Sequence, residues 1–454
     1  MKLGNGVESR RNKRCLDKIN TLPDELLVLI LSFLPTWYAV RTSILSRRWR
    51  YLFTLTDCLY FDDEPFKRRG DRRRFENFVY KVLELHKISP IMKFSLVRRA
   101  TYSKLHLNAW VKHAIQKGVQ EIHYQYDIDE RELPYDLITS KTLMKLSVIG
   151  HKRHGIKIPK SSWLPNLKIL HLNSVRFGDD YHSTESGYHS TERLLSSCEF
   201  LEELTLDNCV LSTKGHVTIS LGQLKVLKII KCSVDNIFFE IEAPKLAYLT
   251  YYSIVGVKIV PLWKYSCSLV KAELHLYSSA DDRDILRDVA YKTTELHLVF
   301  NSVQCLLTID HMGQVPDFPC LSRLHSFYFS YDSWKYVTSV LDKSPHLETI
   351  VFQAGVYHCC LFSKPPQNES LLPFSCNAKV IEVNDFCGYD GSSLLLLGHL
   401  LRNARVLKKL IVRKCHGFDD MEKARQLSKD LLMLPRASSD CSMLVLNYNG
   451  VTSS

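Results

Sequence analysis

The chain has 454 residues, of which 45% are hydrophobic and 24% charged, with a formal net charge of +12. That length suits two or three domains or one long repeat array, and that balance excludes a disordered chain. No apolar run reaches the roughly 18 residues of a membrane-spanning helix, so none is expected.

The start, MKLGNGVESRRNKR, is polar and basic with no apolar core behind it, so it is not expected to act as a signal peptide. A nuclear and/or cytoplasmic location follows, and the fourteen cysteines then sit in a reducing setting where disulfides are rare. None forms a C-x-x-C pair, so most read as buried thiols. Residues 1–80 hold sixteen Lys/Arg against ten Asp/Glu, concentrated in RRNKR at Arg10–Arg14 and KRRGDRRR at Lys67–Arg74. These runs suit nuclear import or polyanion contact, or simply a solvated tail and linker.

The first predicted helix is nearly all apolar. Between Pro23 and Leu34 only Asp24, Glu25 and Ser32 are polar. At about 100° per residue, Leu26, Leu29, Ile30 and Phe33 share one face and Leu27, Leu31 and Leu34 a second. Together they cover about 200° of the helix surface, twice the stripe that one core contact needs. Pro23 suits the first helical position, with Asp24 and Glu25 in the positive first turn, and Pro35 stops the helix. A second helix is predicted over Tyr38–Leu45. A third should start at Ser46 as N-cap and run through RRWRYLF, with Trp49, Leu52 and Phe53 as mutual neighbours. Such a module is too small to stand alone.

This region resembles the F-box family. The resemblance runs from Leu22 to about Asp63 and rests on LPDELLVLILSFLP, AVRTSILSRRWRYL and the trailing LYFDD at their mutual spacing. F-box modules dock onto a Skp-family adaptor and, through it, onto the cullin and RING subunits of a ubiquitin ligase. The resemblance therefore implies that the surplus apolar face is a docking face. It assigns Leu22, Pro23, Ile30 and Leu34 to the adaptor contact, with Leu26 supporting, and gives Trp49 the task of holding the helices together. Trp37-Tyr38 departs from the family's more polar usage at that place, which could alter adaptor preference.

Beyond the module the frame L-x-x-L-x-L recurs. Its fourth residue falls at 146, 170, 204, 227, 249, 272, 296, 327, 350 and 410. Most steps are 22–24 residues, within the 20–29 of a leucine-rich repeat. IMKFSL at Ile91 and VQEIHY at Val119 fit more weakly. Each L-x-L makes a short strand with its apolar residues pointing inward. Cys209, Cys232 and Cys415 take the place where the chain leaves the strand and read as structural thiols. The long step before residue 204 contains GDDYHSTESGYHSTER, residues 178–193, a polar loop whose His182 and His189 come from a duplication and are not read as a metal site. DHMGQVPDFP makes a second loop. The outward strand residues, among them Ser147, His171, Thr205, Lys228, Thr250, His275 and His297, would line the concave partner-binding face. They read as polar, with three histidines and little acid.

From Phe374 the pattern changes to strand Val380–Val383, helix Leu394–Leu401, strand Lys409–Val412, helix Met421–Leu434 and strand Met443–Leu446. KVIEV, the LL-x-N-A-x-VL-x-K block and PRASS-x-C at Pro435–Cys441 resemble the FBD domain found after leucine-rich repeats in many plant F-box proteins. The expected organisation is a basic tail at 1–15, an F-box at 16–63, a basic linker and helix at 64–90, leucine-rich repeats at 91–373 and an FBD segment at 374–450. The fold class is α/β: a three-helix module, an irregular leucine-rich-repeat solenoid, and an α/β segment capping it.

No P-loop, GxGxxG, HExxH or G-x-S-x-G motif occurs, so no enzyme, catalytic residue, cofactor or metal site is expected. Two readings stay open. One is the substrate-recognition subunit of an SCF-type ubiquitin ligase, its repeats holding an unnamed protein substrate. The other is a basic leucine-rich scaffold that binds protein or nucleic acid with no ligase role.

Overall fold

In a computed structural model of the full chain, the described residues are 19, 21–66, 71–88, 90–125, 132–151, 155–156, 158–177, 190–211, 217–234, 239–252, 269–276, 280–300, 316–326, 331–352, 373–386, 392–414 and 421–446. The basic run at 10–14, the duplicated histidines 182 and 189, Cys415 and most of DHMGQVPDFP lie outside them. The chain forms two compact units, Met1–His123 and Tyr124–Ser454.

The first unit opens with helix Asp24–Ser32, for which Pro23 is the N-cap rather than the first helical residue. The second helix, Thr36–Arg41, starts two residues earlier than the sequence suggests, because Pro35 caps it, and it tightens into a 3-10 turn at Thr42–Ile44. The third helix is 3-10 and spans Trp49–Leu55, so Ser46 is not its cap. Arg48 precedes it and explains the difference. Its guanidinium grips Asp24 at 2.7 Å and the Leu22 carbonyl, fixing the start of the third helix against the start of the first. Trp49, Leu52 and Phe53 are buried, as the i, i+3 and i+4 spacing requires.

LYFDD becomes the strand Cys58–Asp62, which pairs in parallel with Lys93–Val97. Tyr60 N donates to Thr36 Oγ1 at 2.8 Å, tying the strand to the second helix. Asp63 is buried and accepts from the Arg99 and Ala100 amides and the Tyr102 hydroxyl. Within the stretch expected as a basic linker and helix, residues 67–70 lie outside the described residues, and the helix follows them. Arg72–Leu85 buries Phe75, Val79, Val82 and Leu83. Trp37 meets Phe66 and Phe78 edge-to-face at 4.6 and 5.2 Å between centroids, so this family-atypical residue is engaged within the unit.

In the second unit, twelve parallel strands follow one another among the described residues, from Lys145–Ile149 to Ser442–Leu446. The fourth frame residue stays in strict register. Leu146 faces Leu170, which faces Leu204, then Leu227, Leu249, Ala272 and Leu296. The column continues through Leu324, Ile350, Ile381, Leu410 and Met443.

Two sequence assignments change here. The repeat centred on residue 327 is centred on Leu324, in strand Arg323–Ser326, because it is Leu324 that stacks on Leu296. The long interval between Ile350 and Leu410 holds a further strand, Val380–Phe386. The C-terminal segment thus ends the array by extending it with three more strands of the same ladder. Its helices, Ser392–Asn403 and Met421–Met433, are close to those expected.

Ser174, Asn208, Lys231 and Asp385 are left-handed, with φ between 50° and 55°. The first three follow directly on the ladder residues of their strands, and Asp385 lies at the irregularity between Val383 and Phe386. This conformation turns the chain outward, and Asn is among the few side chains that accept it readily. Cys209 and Cys232 come next and are buried, their thiols donating to the Leu172 and Leu206 carbonyls of the preceding repeats at 3.4 and 3.3 Å.

Leu227 lies in the middle of the column with no exposed surface. Leu227→Ala should cost about 2–5 kcal/mol, whereas Thr205→Ala on the outer row should stay within about 0.5 kcal/mol. Denaturant unfolding of the two variants measures the difference.

Candidate functional site

The first helix divides its apolar residues as its surplus suggests. Leu27 and Leu31 are buried. Leu26, Leu29, Ile30 and Phe33 remain exposed, at 45, 51, 43 and 78%. Leu34 does not join Leu27 and Leu31 on the covered side, being 37% exposed just past the helix end. Pro23 is also exposed and Leu22 half-buried. The five residues Leu22, Pro23, Leu26, Ile30 and Leu34 are therefore each at least partly exposed. Ile44 and Leu45 add to the module's exposed apolar area.

In the second unit the outward strand residues form straight rows, since parallel pairing aligns residue with residue. One row reads Ser147, His171, Thr205, Lys228 and Thr250. It continues through Glu273, His297, His325, Val351 and Glu382. His275, expected in this row, lies in the next one, opposite Tyr252.

The expectation of little acid is also corrected. His171 Nε2 lies 3.0 Å from Glu203, His275 Nε2 3.0 Å from Glu273, and His297 Nε2 3.0 Å from Glu295. The signal was present in the repeated tetrapeptide ELHL at Glu273 and Glu295. Alternation along a strand puts residues i and i+2 on the same face, so each Glu must stand beside its His. Reading only the residue between the two leucines misses it.

The electrostatics follow from this pairing. The hydrogen bond from His275 holds the Glu273 carboxyl below its usual range. Burial pushes the Glu295 carboxyl up, but hydrogen bonds from His297 and Lys271 outweigh it and bring it down to about 2. Burial, reinforced by the neighbouring His297, lowers the His325 imidazole to about 4. At the turn edge of the array, Lys168 and Lys225 flank Glu202 at 3.3 and 2.6 Å in a cavity of about 260 Å³ that Phe200 also lines.

Comparison with known proteins agrees with both units. An F-box domain profile matches residues 19–59, and the leucine-rich-repeat domain profile described as At1g61320/AtMIF1 matches residues 82–440. The putative F-box protein At3g44060 of Arabidopsis thaliana is 31% identical, over 94% of this chain and all of its own length. The putative F-box/LRR-repeat protein At3g58880 of the same plant is 32% identical over 82% of this chain and 87% of its own. The putative F-box/FBD/LRR-repeat protein At3g59240, also from that plant, is 27% identical over 96% and 91%. The fold is thus that of an F-box followed by a leucine-rich-repeat domain. The chain belongs to the plant F-box/leucine-rich-repeat family. The repeat profile runs on through the strands at 380–386 and 409–414, in keeping with the unbroken ladder. No helix among the described residues is long and apolar enough to cross a membrane.

Several thiols are shielded. Burial pushes Cys198 up to about 12 and Cys376 up to about 11. The hydrogen bond to Cys232, in which Cys209 keeps its proton, together with burial, pushes Cys209 up. Because the thiolate is the reactive form, Cys198, Cys209 and Cys376 should resist iodoacetamide in the native protein, while the exposed Cys320 is alkylated. Peptide mass spectrometry after brief labelling at neutral pH distinguishes them. Labelling of all four at one rate would contradict the assignment.

Proposed function

We propose that this protein is the substrate-recognition subunit of an SCF-type cullin–RING ubiquitin ligase. The F-box docks a Skp-family adaptor through Leu22, Pro23, Leu26, Ile30 and Leu34, and the leucine-rich repeats hold a protein substrate on their outward strand rows. The single observation that carries this reading is the exposed half of the first helix, where Leu26, Leu29, Ile30 and Phe33 face solvent beside a fully used inner face. Apolar residues clustered in this way mark an interaction surface. Burying four large apolar side chains yields roughly 6–12 kcal/mol, against an association cost of roughly 4–15 kcal/mol. The interface must therefore extend beyond these residues, and Ile44 and Leu45 of the same module are exposed and available to widen it.

The protein's part in the reaction is non-covalent. Adaptor and substrate held on one chain raise the effective concentration of the substrate's lysine near the ubiquitin-charged enzyme, to millimolar order for short tethers. The catalytic groups belong to other subunits, and the chain itself is not an enzyme. The alternative of a basic scaffold for nucleic acid draws less support. Basic residues on and beside the strands pair with acids, as in Lys271–Glu295 at 3.0 Å, Lys379–Glu348 at 2.5 Å and Arg413–Glu382 at 2.8 Å. A polyanion needs an uninterrupted basic stripe.

The test is co-purification of the full chain with a Skp-family adaptor, beside Ile30→Asp. The wild type should bind, and the variant should lose at least roughly tenfold in affinity while melting at the same temperature, since Ile30 already faces water. Equal binding by the folded variant would reject the proposed contact.

A further inference from the structure

The outward rows bring three metal-binding side chains to one point. Glu295 and His297 sit two apart on strand Glu295–Phe300, on the same face. His325 lies directly opposite His297 on the next strand. His297 Nε2 is 3.0 Å and His325 Nε2 3.6 Å from the same carboxylate oxygen, Glu295 Oε1. The two imidazoles are stacked, 3.9 Å between centroids and 8° from parallel, so both present the same edge to that oxygen. One nitrogen from each imidazole and one carboxylate oxygen all lie within 4.8 Å of one another.

We infer that Glu295, His297 and His325 form a binding site for a divalent transition-metal ion of the zinc type. Zinc takes imidazole nitrogen at about 2.0–2.1 Å and carboxylate oxygen at about 2.0–2.2 Å. In a tetrahedron those bond lengths put neighbouring ligand atoms roughly 3.3 Å apart, between the two separations found here, and the stacked imidazoles turn about their side-chain bonds to aim both in-plane lone pairs at the ion. Two histidines and one carboxylate suit borderline ions such as Zn²⁺, Co²⁺ and Ni²⁺, and do not suit Mg²⁺ or Ca²⁺, which want oxygen alone.

The frame that holds the ligands is rigid. Leu296 and Leu298, on either side of His297 in the strand, are buried, as is Leu324 beside His325. The ligands themselves keep only part of their side chains exposed, 27% for Glu295, 17% for His297 and 12% for His325. Lys271 Nζ now shares Glu295 Oε1 at 3.0 Å. It sits on a flexible stem that is 37% exposed, and it gives up that oxygen when the ion enters.

Three protein ligands leave at least one coordination position open toward solvent, on the face proposed for substrate. The ion would give that face a directional contact for a histidine, thiolate or carboxylate of a bound protein. The site depends on the repeats alone and stands whether or not the chain docks an adaptor.

The experiment uses the untagged full chain dialysed against micromolar Zn²⁺, with bound metal quantified by mass spectrometry. Co²⁺ replaces Zn²⁺ in a parallel titration read by its visible absorption. The wild type should bind one ion with a four- or five-coordinate Co²⁺ spectrum. His325→Gln and Glu295→Gln should each weaken binding by roughly tenfold or more. His171→Gln, which breaks a His–Glu pair elsewhere in the row, should leave that binding unchanged. Circular dichroism melts identify any variant that fails to fold, and the other then decides. Absence of a bound ion in the wild type overturns the inference, as does equal affinity in a folded His325→Gln or Glu295→Gln variant.

Discussion

The second unit depends on one constraint, the strict register of a parallel ladder. A single repeat contributes a strand of four to seven residues with only a few inward side chains, far too little to form a core. Stacked without slip, the repeats turn those side chains into a continuous column running from Leu146 to Met443. Backbone bonds and apolar burial then enforce each other. A slip of one residue would turn every leucine out and every charged row in, so the pairing is strongly specified. The left-handed residues at 174, 208 and 231 extend the same constraint beyond the strand, since they release the chain at the same point of successive turns.

The first unit solves a different problem. Its three short helices bury Leu27, Leu31, Trp49, Leu52 and Phe53, and still need the strand Cys58–Asp62 and the helix Arg72–Leu85 to complete a core. The aromatic cluster of Trp37, Phe66, Phe75 and Phe78 makes that join. It frees the outer half of the first helix from any structural duty within the module. A helix apolar on two sides is therefore stable with one side uncovered, because the other side and its neighbours already hold it.

Much of this was legible in the sequence. The period of the repeats, the two-faced helix and the burial of Cys209 and Cys232 after their strands all follow from spacing and residue type. What escaped has specific causes. LSRLHSFYF contains two overlapping frames, and only the neighbouring strand decides that Leu324 rather than Phe327 joins the column. Val380–Phe386 stands apart from the repeats in composition, yet its Ile381 pairs with Ile350 like any other repeat. Ser46 has the chemistry of a cap, but the grip of Arg48 on Asp24 sets where the third helix begins. The glutamates beside the histidines escape a reading of the single residue between the two frame leucines, because Glu203 and Glu295 stand one place before that pair. The meeting of His297 with His325 could not be read at all, since it joins residues from two repeats.

Loop length and surface pattern are independent in this architecture. The stretch between strands Ile169–Asn173 and Glu203–Asp207 is longer than most, yet His171 still faces Thr205. Insertions between strands leave the rows aligned, and substitutions within a row leave the buried column untouched. The chain can therefore lengthen its rim and rewrite its face separately. A lineage of such proteins can diversify what it recognises by two routes, neither of which puts the core at risk.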